Sequence, residues 1–345
     1  MLAISISRAA RSSLLATRRT FTSVNLASIK ELRAKTSAPV SDCKKALDAS
    51  DGDIDGAFDW LRQRGAAKAS DLEKSGREAN EGLVAVFAPN DHEAAIVQAA
   101  CETDFVPRND TFQAFLHKVA SIALYKRVPP PPASGVYDVN MKALLNLPLE
   151  DGISQNATSV GDALVDLVVK IRENMSLVKS ARVAAIPGIV GSYVHGGVNV
   201  DKYPGLGKVA AVVTVGFHRG DNSIYVPSED VVTKVLRPLA KKLAMHIVAA
   251  KPKYIDVFDI PGDILDRERE LLRKQALESG KTVDIAEKIV DGRIKKYLAA
   301  ATLLGQSHLV EPESPPVSEV LRTASQQAGV ELKVDGFVLY SAIGR

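Results

Sequence analysis

The chain has 345 residues, 46% hydrophobic and 25% charged, an ordinary globular composition with room for two or three domains. Two cysteines, Cys43 and Cys101, argue against a disulfide framework; neither has a CxxC neighbour, which argues against zinc, and both read as buried reduced thiols. The net charge of +3 is small, and no apolar run approaches the roughly 18–20 residues of a membrane span, which disfavours a general nucleic-acid binder and an integral membrane protein.

Residues 1–23, MLAISISRAARSSLLATRRTFTS, hold four arginines and the serines Ser5, Ser7, Ser12 and Ser13, and the first acid of the chain is Glu31. An acid-free, Arg- and Ser-rich start reads as a mitochondrial transit peptide, although a disordered basic tail shares the composition. The arginines are spread along the segment, unlike those of a secretory signal. Taking away these four charges turns the balance from +3 to −1, so the remainder is near neutral.

Residues 24–69 contain three helical patterns. SIKELRAKTS places Ile29, Leu32 and Arg33 at helical spacing, with Ser28 as N-cap. After Pro39, VSDCKKALDAS offers Ser41 or Asp42 as cap and Cys43, Ala46 and Leu47 as one face. DIDGAFDWLRQRG sets Ile54, Ala57, Phe58 and Leu61 at i, i+3, i+4 and i+7, with Gly65 near its end. Such a bundle has a thin core and too little interior for a catalytic cleft, so it reads as a docking module. The polar and small residues that follow, AAKASDLEKSGREAN (66–80), read as a linker, placed at 70–81, whose first half is open to helix.

From Gly82 a loose internal repeat appears. GLVAVFAPNDHEAAIVQAACETDF (82–105) leads into FQAFLHKVASIALY (112–125). GIVGSYVHGG (188–197) and KVAAVVTVGF (208–217) lead into VVTKVLRPLAKKLAMHIVAA (231–250). Each copy is strand, turn, strand, helix, with hairpins expected to bury one face under the helix; chance likeness of two ββα units gives the same pattern. The expected fold is α+β, with two sheet-plus-helix subdomains over 82–180 and 181–345. VPPPPASG (128–135) is a stiff spacer in a Pro-rich insertion near 128–158. Residues 159–179 read as a helix with Leu164, Leu167, Val168 and Ile171 on one face. The charged segment 262–298 reads as a protruding helical hairpin with apolar Ile264, Leu265, Leu271, Leu272, Ile285, Ile289 and Ile294 and a turn at Ser279-Gly280. VELKVDGFVLYSAIG (330–344) alternates like a strand and should return to the second sheet.

No catalytic constellation emerges, and no cofactor or metal is expected. GLGKV (205–209) lacks the glycine and the Ser or Thr of a phosphate loop and reads as a hairpin turn. His195 stands before two glycines at a strand end, and His246 reads as a buried, hydrogen-bonded helix residue. The remaining feature is CETDFVPRNDTF (101–112). Asp110 is positioned to cap the next helix, which leaves Asp104 spare beside Phe105 on a turn stiffened by Pro107. An acid and an aromatic on such a turn suit insertion into a pocket of a partner.

Six runs in order carry a resemblance: IKELRAKTSAPVSDCKKAL, GDIDGAFDWLRQRGAAKA, ETDFV, RVAAIPGIVGSYVHGG, LAMHIVAAKPKYI and SGKTVDIAEKIVDGRIKKYL. Across residues 28–310 the chain resembles the elongation factor Ts family, the guanine-nucleotide exchange factors of the GTPase elongation factor Tu, in its mitochondrial form. The resemblance implies a UBA-like domain at 24–69 that docks through Arg33, Val40 and Lys44. It implies insertion of the turn Thr103, Asp104, Phe105 and Val106 beside the partner's magnesium–GDP site, and a further contact at His195. It also implies a hairpin that dimerises some bacterial members, which admits a dimer of heterodimers. Residues 133–158 look inserted, and the tail after Pro312 matches poorly. Location in the mitochondrial matrix follows from the transit peptide. Two other readings are a ubiquitin-binding adaptor built on the three-helix unit, which a matrix location disfavours, and a mitochondrial RNA-binding protein, which the near-neutral charge disfavours.

Overall fold

The computed structural model describes residues 25–36, 38–74, 79–125, 133–149, 157–220, 225, 227–279 and 282–342. The expected transit peptide, the proline run and Gly280 lie outside the described residues. The chain divides into two compact units, with the boundary between Arg64 and Gly65.

The first unit holds α1 (Leu26–Thr36), α2 (Val40–Ala49) and the start of α3 (Ile54–Lys74). The apolar positions spaced for helices meet in one small core: Ile29 and Leu32, then Cys43, Ala46 and Leu47, then Ala57 and Leu61. The caps differ from expectation. Asn25 accepts the Ala27 N–H at its Oδ1 (3.0 Å), so Ser28 lies inside α1. α2 starts at Val40 after Pro39 without a side-chain cap, so neither Ser41 nor Asp42 serves. α3 passes through Gly65 into the first part of the expected linker. AAKASDLEK has good helix formers and neither Gly nor Pro, which outweighs the cost of about 1 kcal/mol at Gly65.

The second unit begins with the hairpin β1 (Glu81–Phe87) and β2 (Glu93–Cys101), followed by α4 (Asp110–Tyr125). Next come β3 (Gly135–Asp138), α5 (Met141–Leu145), α6 (Val160–Ile171), β4 (Met175–Ala184), β5 (Gly188–His195), β6 (Leu206–Gly207) and β7 (Val209–His218). α7 (Glu229–Val231) continues through a π-helical segment, Val232–Leu236, into α8 (Arg237–Ala250). The chain closes with α9 (Gly262–Glu278), α10 (Val283–Ala301), α11 (Val317–Ala328) and β8 (Glu331–Ser341). One sheet has the order β3-β4-β2-β1-β6, the other β5-β7-β8, and their neighbours run antiparallel. The architecture is mixed α/β with N-terminal helices and two sheet-containing subdomains, and the C-terminal strand joins the second sheet as its alternation predicts.

The hairpin β1–β2 is buried on both faces, where the sequence predicted one. Leu83, Ala85, Ala95, Val97, Ala99 and Cys101 face Phe112, Phe115, Leu116 and Val119 of α4 and Leu167 and Val168 of α6. Val84, Val86, Ala94 and Ile96 face the second sheet, meeting Val190, Ala210, Val212 and Tyr340. A run as apolar as AAIVQAAC suits a strand covered on both sides. The second sheet is covered by Leu239, Leu243, Ala244 and Ile247 of α8 and Leu321, Ala324 and Ala328 of α11. α8 lies so close to β5 that a Cβ at Gly191 would stand 2.3 Å from the Ala240 carbonyl group, which only glycine allows.

Three further expectations change. The stretch 159–179 is not one helix: α6 is capped by Ser159 and Asp162, ends at left-handed Arg172 (φ 69°), and MSLVKSARVA is β4. Part of the expected insertion supplies β3, which pairs with β4. Leu206 and Gly207, read as a turn, pair with Ala85 and Val84. In the helical hairpin, Leu272, Val290 and Ile294 form a core with Leu265 and Leu298, supported by an Arg273–Glu287 ion pair (2.7 Å). Leu271 and Ile285, expected among its apolar positions, are exposed.

Two histidines tie α8 to the loop before α11. His246 is buried and hydrogen-bonded as expected: its Nε2 donates to Gln306 Oε1 (2.9 Å) and its Nδ1 accepts the Leu309 N–H (3.2 Å). His308, also buried, lies with its ring 4.9 Å from that of His246. Burial pushes the His308 pKa down to about 4, with the His246 charge acting in the same direction and nearby Glu311 opposing. Burial lowers His246 too, against the Gln306 bond. Both groups therefore titrate lower in the folded chain than in the unfolded one. Their neutral forms favour the fold above the ordinary histidine value, and that contribution is lost as pH falls through the folded values. Unfolding free energy is expected to drop between about pH 6.5 and 4, by up to about 1.4 kcal/mol per pH unit for each proton taken up. Urea midpoints across this range test it; a His308→Asn variant with the wild-type slope would contradict the assignment to His308.

Candidate partner-binding site

β2 ends at Cys101, and the chain turns through 102–105 into a 3₁₀ turn, Val106–Arg108, before α4. Both ends of this turn are held. At its start, Thr103 donates its hydroxyl to Glu173 Oε1 (2.9 Å) and Oε2 (2.8 Å), and its N–H to Oε2 (3.1 Å). The Cys101 thiol donates to the Thr103 carbonyl (3.4 Å). At its end, Val106 and Pro107 are buried, and buried Gln113 donates Nε2–H to the Pro107 carbonyl (2.9 Å). Between these anchors Phe105 is 74% exposed. Its carbonyl accepts the Arg108 N–H (3.1 Å), which closes the turn.

Three expectations for this turn are corrected. Asp104 is not spare: its Oδ2 pairs with Arg108 Nη2 at 3.0 Å, at the surface. Asp110 does not cap α4. Asn109 does, with Oδ1 accepting from Thr111 (2.9 Å) and Phe112 (3.4 Å), while Asp110 pairs with Lys202 (2.8 Å). Val106, expected on the partner-facing side, is 1% exposed and packs into the core, so it anchors the turn. Burial pushes the Cys101 thiol up to about 12, with Lys208 opposing, and burial likewise raises Cys43; both thiols are free and inert.

The other sequence-chosen residues lie apart from the turn in the chain. Val40 opens α2, 49% exposed, and Lys44 follows one turn later on the same face. Arg33, exposed in the last turn of α1, is near enough to act on the Cys43 thiol. His195 ends β5, exposed, with its ring 6.4 Å from that of Tyr193. The structure thus gathers Thr103 to Val106 in one turn and leaves His195 on the other sheet.

Sequence reading missed Glu173 and Glu102. Glu102 Oε1 accepts the Asn174 N–H (3.1 Å), so the two turns hold each other. A signal was present in RENMSLVKSARVA, where a polar break precedes strand-like alternation, but continuing the helix to 179 hid it. Among the described residues, no three His, Cys, Asp or Glu side chains gather as a metal site requires, and no helix is long and apolar enough to cross a membrane.

A family model described as Elongation factor TS matches residues 102–344. The chain is 37% identical over 318 residues to the elongation factor Ts of Rhodospirillum centenum, covering 92% of each. It is 38% identical over 313 residues to that of Paramagnetospirillum magneticum, covering 91% of this chain and 89% of the relative. Identity to that of Agrobacterium fabrum is 35% over 317 residues, again 92% of each. The family match includes the segment after Pro312, which the sequence reading had left outside the resemblance.

Proposed function

Because this chain belongs to the elongation factor Ts family, the non-catalytic nucleotide-exchange factors of elongation factor Tu, we propose that its 102–107 turn drives exchange by entering the magnesium–GDP site of that GTPase. The observation that carries this is an exposed Phe105 on a turn anchored at both ends.

Phe105 wedges between helices of the partner, and Asp104 exchanges its surface bond to Arg108 for contacts beside the magnesium. Displaced helices withdraw ligands from the ion, and loss of the ion removes charge compensation from the β-phosphate. GDP leaves and GTP can bind. The factor works by binding the nucleotide-free state more tightly than the GDP state, and linkage makes the weakening reciprocal.

The first unit is read as UBA-like, docking on the nucleotide-binding domain through Arg33, Val40 and Lys44. The two hairpin-plus-helix subdomains are read as an internal ββα repeat. His195 is read as a second contact, with the partner's C-terminal barrels. An adaptor built on the three-helix unit alone would leave the match over 102–344 without a role. The basic, acid-free residues 1–23 support a mitochondrial form, acting on the mitochondrial partner in the matrix. Exposed Leu271, Leu277, Val283 and Ile285 on the helical hairpin support pairing of two complexes there.

Stopped-flow release of a fluorescent GDP from elongation factor Tu tests the mechanism. The chain should accelerate release strongly, and Phe105→Ala should slow it by about thirtyfold, the loss of about 2 kcal/mol expected of a buried aromatic anchor. Undiminished release by Phe105→Ala would remove the wedge. A fusion carrying residues 1–30 should enter mitochondria, and its retention in the cytosol would refute the targeting reading. A complex containing one copy of each chain by light scattering would exclude pairing through the hairpin.

A further inference from the structure

We propose that Glu173 is a positioning residue for nucleotide exchange: its carboxylate fixes Thr103, and through Thr103 the direction in which Asp104 and Phe105 are presented. This rests on the reading of the 102–107 turn given above.

Thr103 directs two donors, its hydroxyl and its N–H, at the same carboxylate, at distances between 2.8 and 3.1 Å. A carboxylate suits this task because it is acceptor-only and has two oxygens, whereas an amide in its place would turn one donor against another. Charge also strengthens the bonds roughly twofold over neutral ones. The carboxylate has a firm base. Arg172, just before it, closes α6 in the left-handed conformation with its N–H on the Val168 carbonyl (2.7 Å). Met175, two residues after it, is buried and pairs with Cys101 in the sheet. Glu102 returns the contact by accepting the Asn174 N–H, so 102–103 and 173–174 fix each other from both sides.

The two legs of the turn differ in what holds them. The leg after Phe105 is secured by buried Val106, Pro107 and Gln113. The leg before it is held by the two donors of Thr103 on the Glu173 carboxylate, by the single bond from Asn174 to Glu102 and by the weak thiol bond from Cys101. Without the carboxylate the turn keeps its far anchor and the sheet is untouched, but Phe105 gains freedom to point elsewhere. That freedom must be lost again on docking, so the defect falls on the exchange step.

The test uses the full chain and elongation factor Tu loaded with fluorescent GDP, with Glu173→Ala, Glu173→Gln, Phe105→Ala and the double variant Glu173→Ala/Phe105→Ala. Release at saturating factor should fall by about tenfold in Glu173→Ala, within the range for residues acting as one unit, and less in Glu173→Gln. In the Phe105→Ala background, Glu173→Ala should cost clearly less than it does alone, the remainder being the part exerted through Asp104. Amide hydrogen exchange across 102–106 should rise in Glu173→Ala while that of β7 stays unchanged. Wild-type release by Glu173→Ala overturns the proposal. So does a loss repeated in full in the Phe105→Ala background, which marks a general structural defect, and so does unchanged amide exchange across 102–106. Wild-type release by Phe105→Ala overturns the reading of the turn itself; it is distinguishable because amide exchange still reports whether Glu173 holds Thr103.

Discussion

The position of Phe105 depends on the burial of β2 between two layers. With helices α4 and α6 against one face and the second sheet against the other, β2 has no direction in which to tilt. Small side chains make this possible: Ala94, Ala95, Ala99 and Ala100 lie along it, and Ala210 and Ala211 on β7 face the two interfaces of the second sheet. A strand packed at interior density transmits its position to the residues that follow it. Cys101 is the last residue of that strand, and the anchored Thr103 stands two residues beyond.

The turn divides its energetics between what is satisfied and what is left open. Glu173, Cys101 and Gln113 satisfy the Thr103 N–H, the Thr103 carbonyl and the Pro107 carbonyl, so the turn is held at both ends before any docking. The ion pair of Asp104 with Arg108 is at the surface, where such a pair is worth about 0–1 kcal/mol, so the carboxylate can be taken by another partner at little cost. The phenyl ring is the opposite case. Its transfer out of water, worth about 1.5–3 kcal/mol when complete, is withheld from folding and remains available for association. In the proposed mechanism this exposed ring is the anchor, and its main unsatisfied term is apolar area.

Much of this was legible in the sequence because it rests on local period. The faces of Ile29–Leu32, Cys43–Leu47 and Ala57–Leu61 follow helical spacing, and the two apolar hairpins with their covering helices follow their own. The exposed aromatic of DFVP was visible as an apolar residue in a loop. What failed depended on competition between neighbours. MSLVK, the first half of β4, reads as the end of a helix because the preceding VGDALVDLVVKI is strongly helical; the stop comes from one left-handed residue, Arg172, whose side chain gives no such signal. Asn109 and Asp110 are both fair caps, and an ion pair with Lys202, 92 residues away, engages the second. Burial of β1–β2 on both faces requires the second sheet, and Glu173 requires a partner 70 residues earlier in the chain. Contacts at such separations leave no periodic trace.

The placement of β8 sets an order in time. β7 is the central strand of its sheet, bonded to β5 on one side and β8 on the other, yet Thr214 and its partner Gly336 are 122 residues apart. A chain that emerges N-terminus first, from a ribosome or through a membrane pore, must deliver all of those residues before the sheet can close. Through that interval VAAVVTVGFH has one bare edge and no final neighbour, the condition in which apolar strands seek each other across chains. The second sheet therefore needs shielding while it is incomplete, until ELKVDGFVLYS arrives to close it.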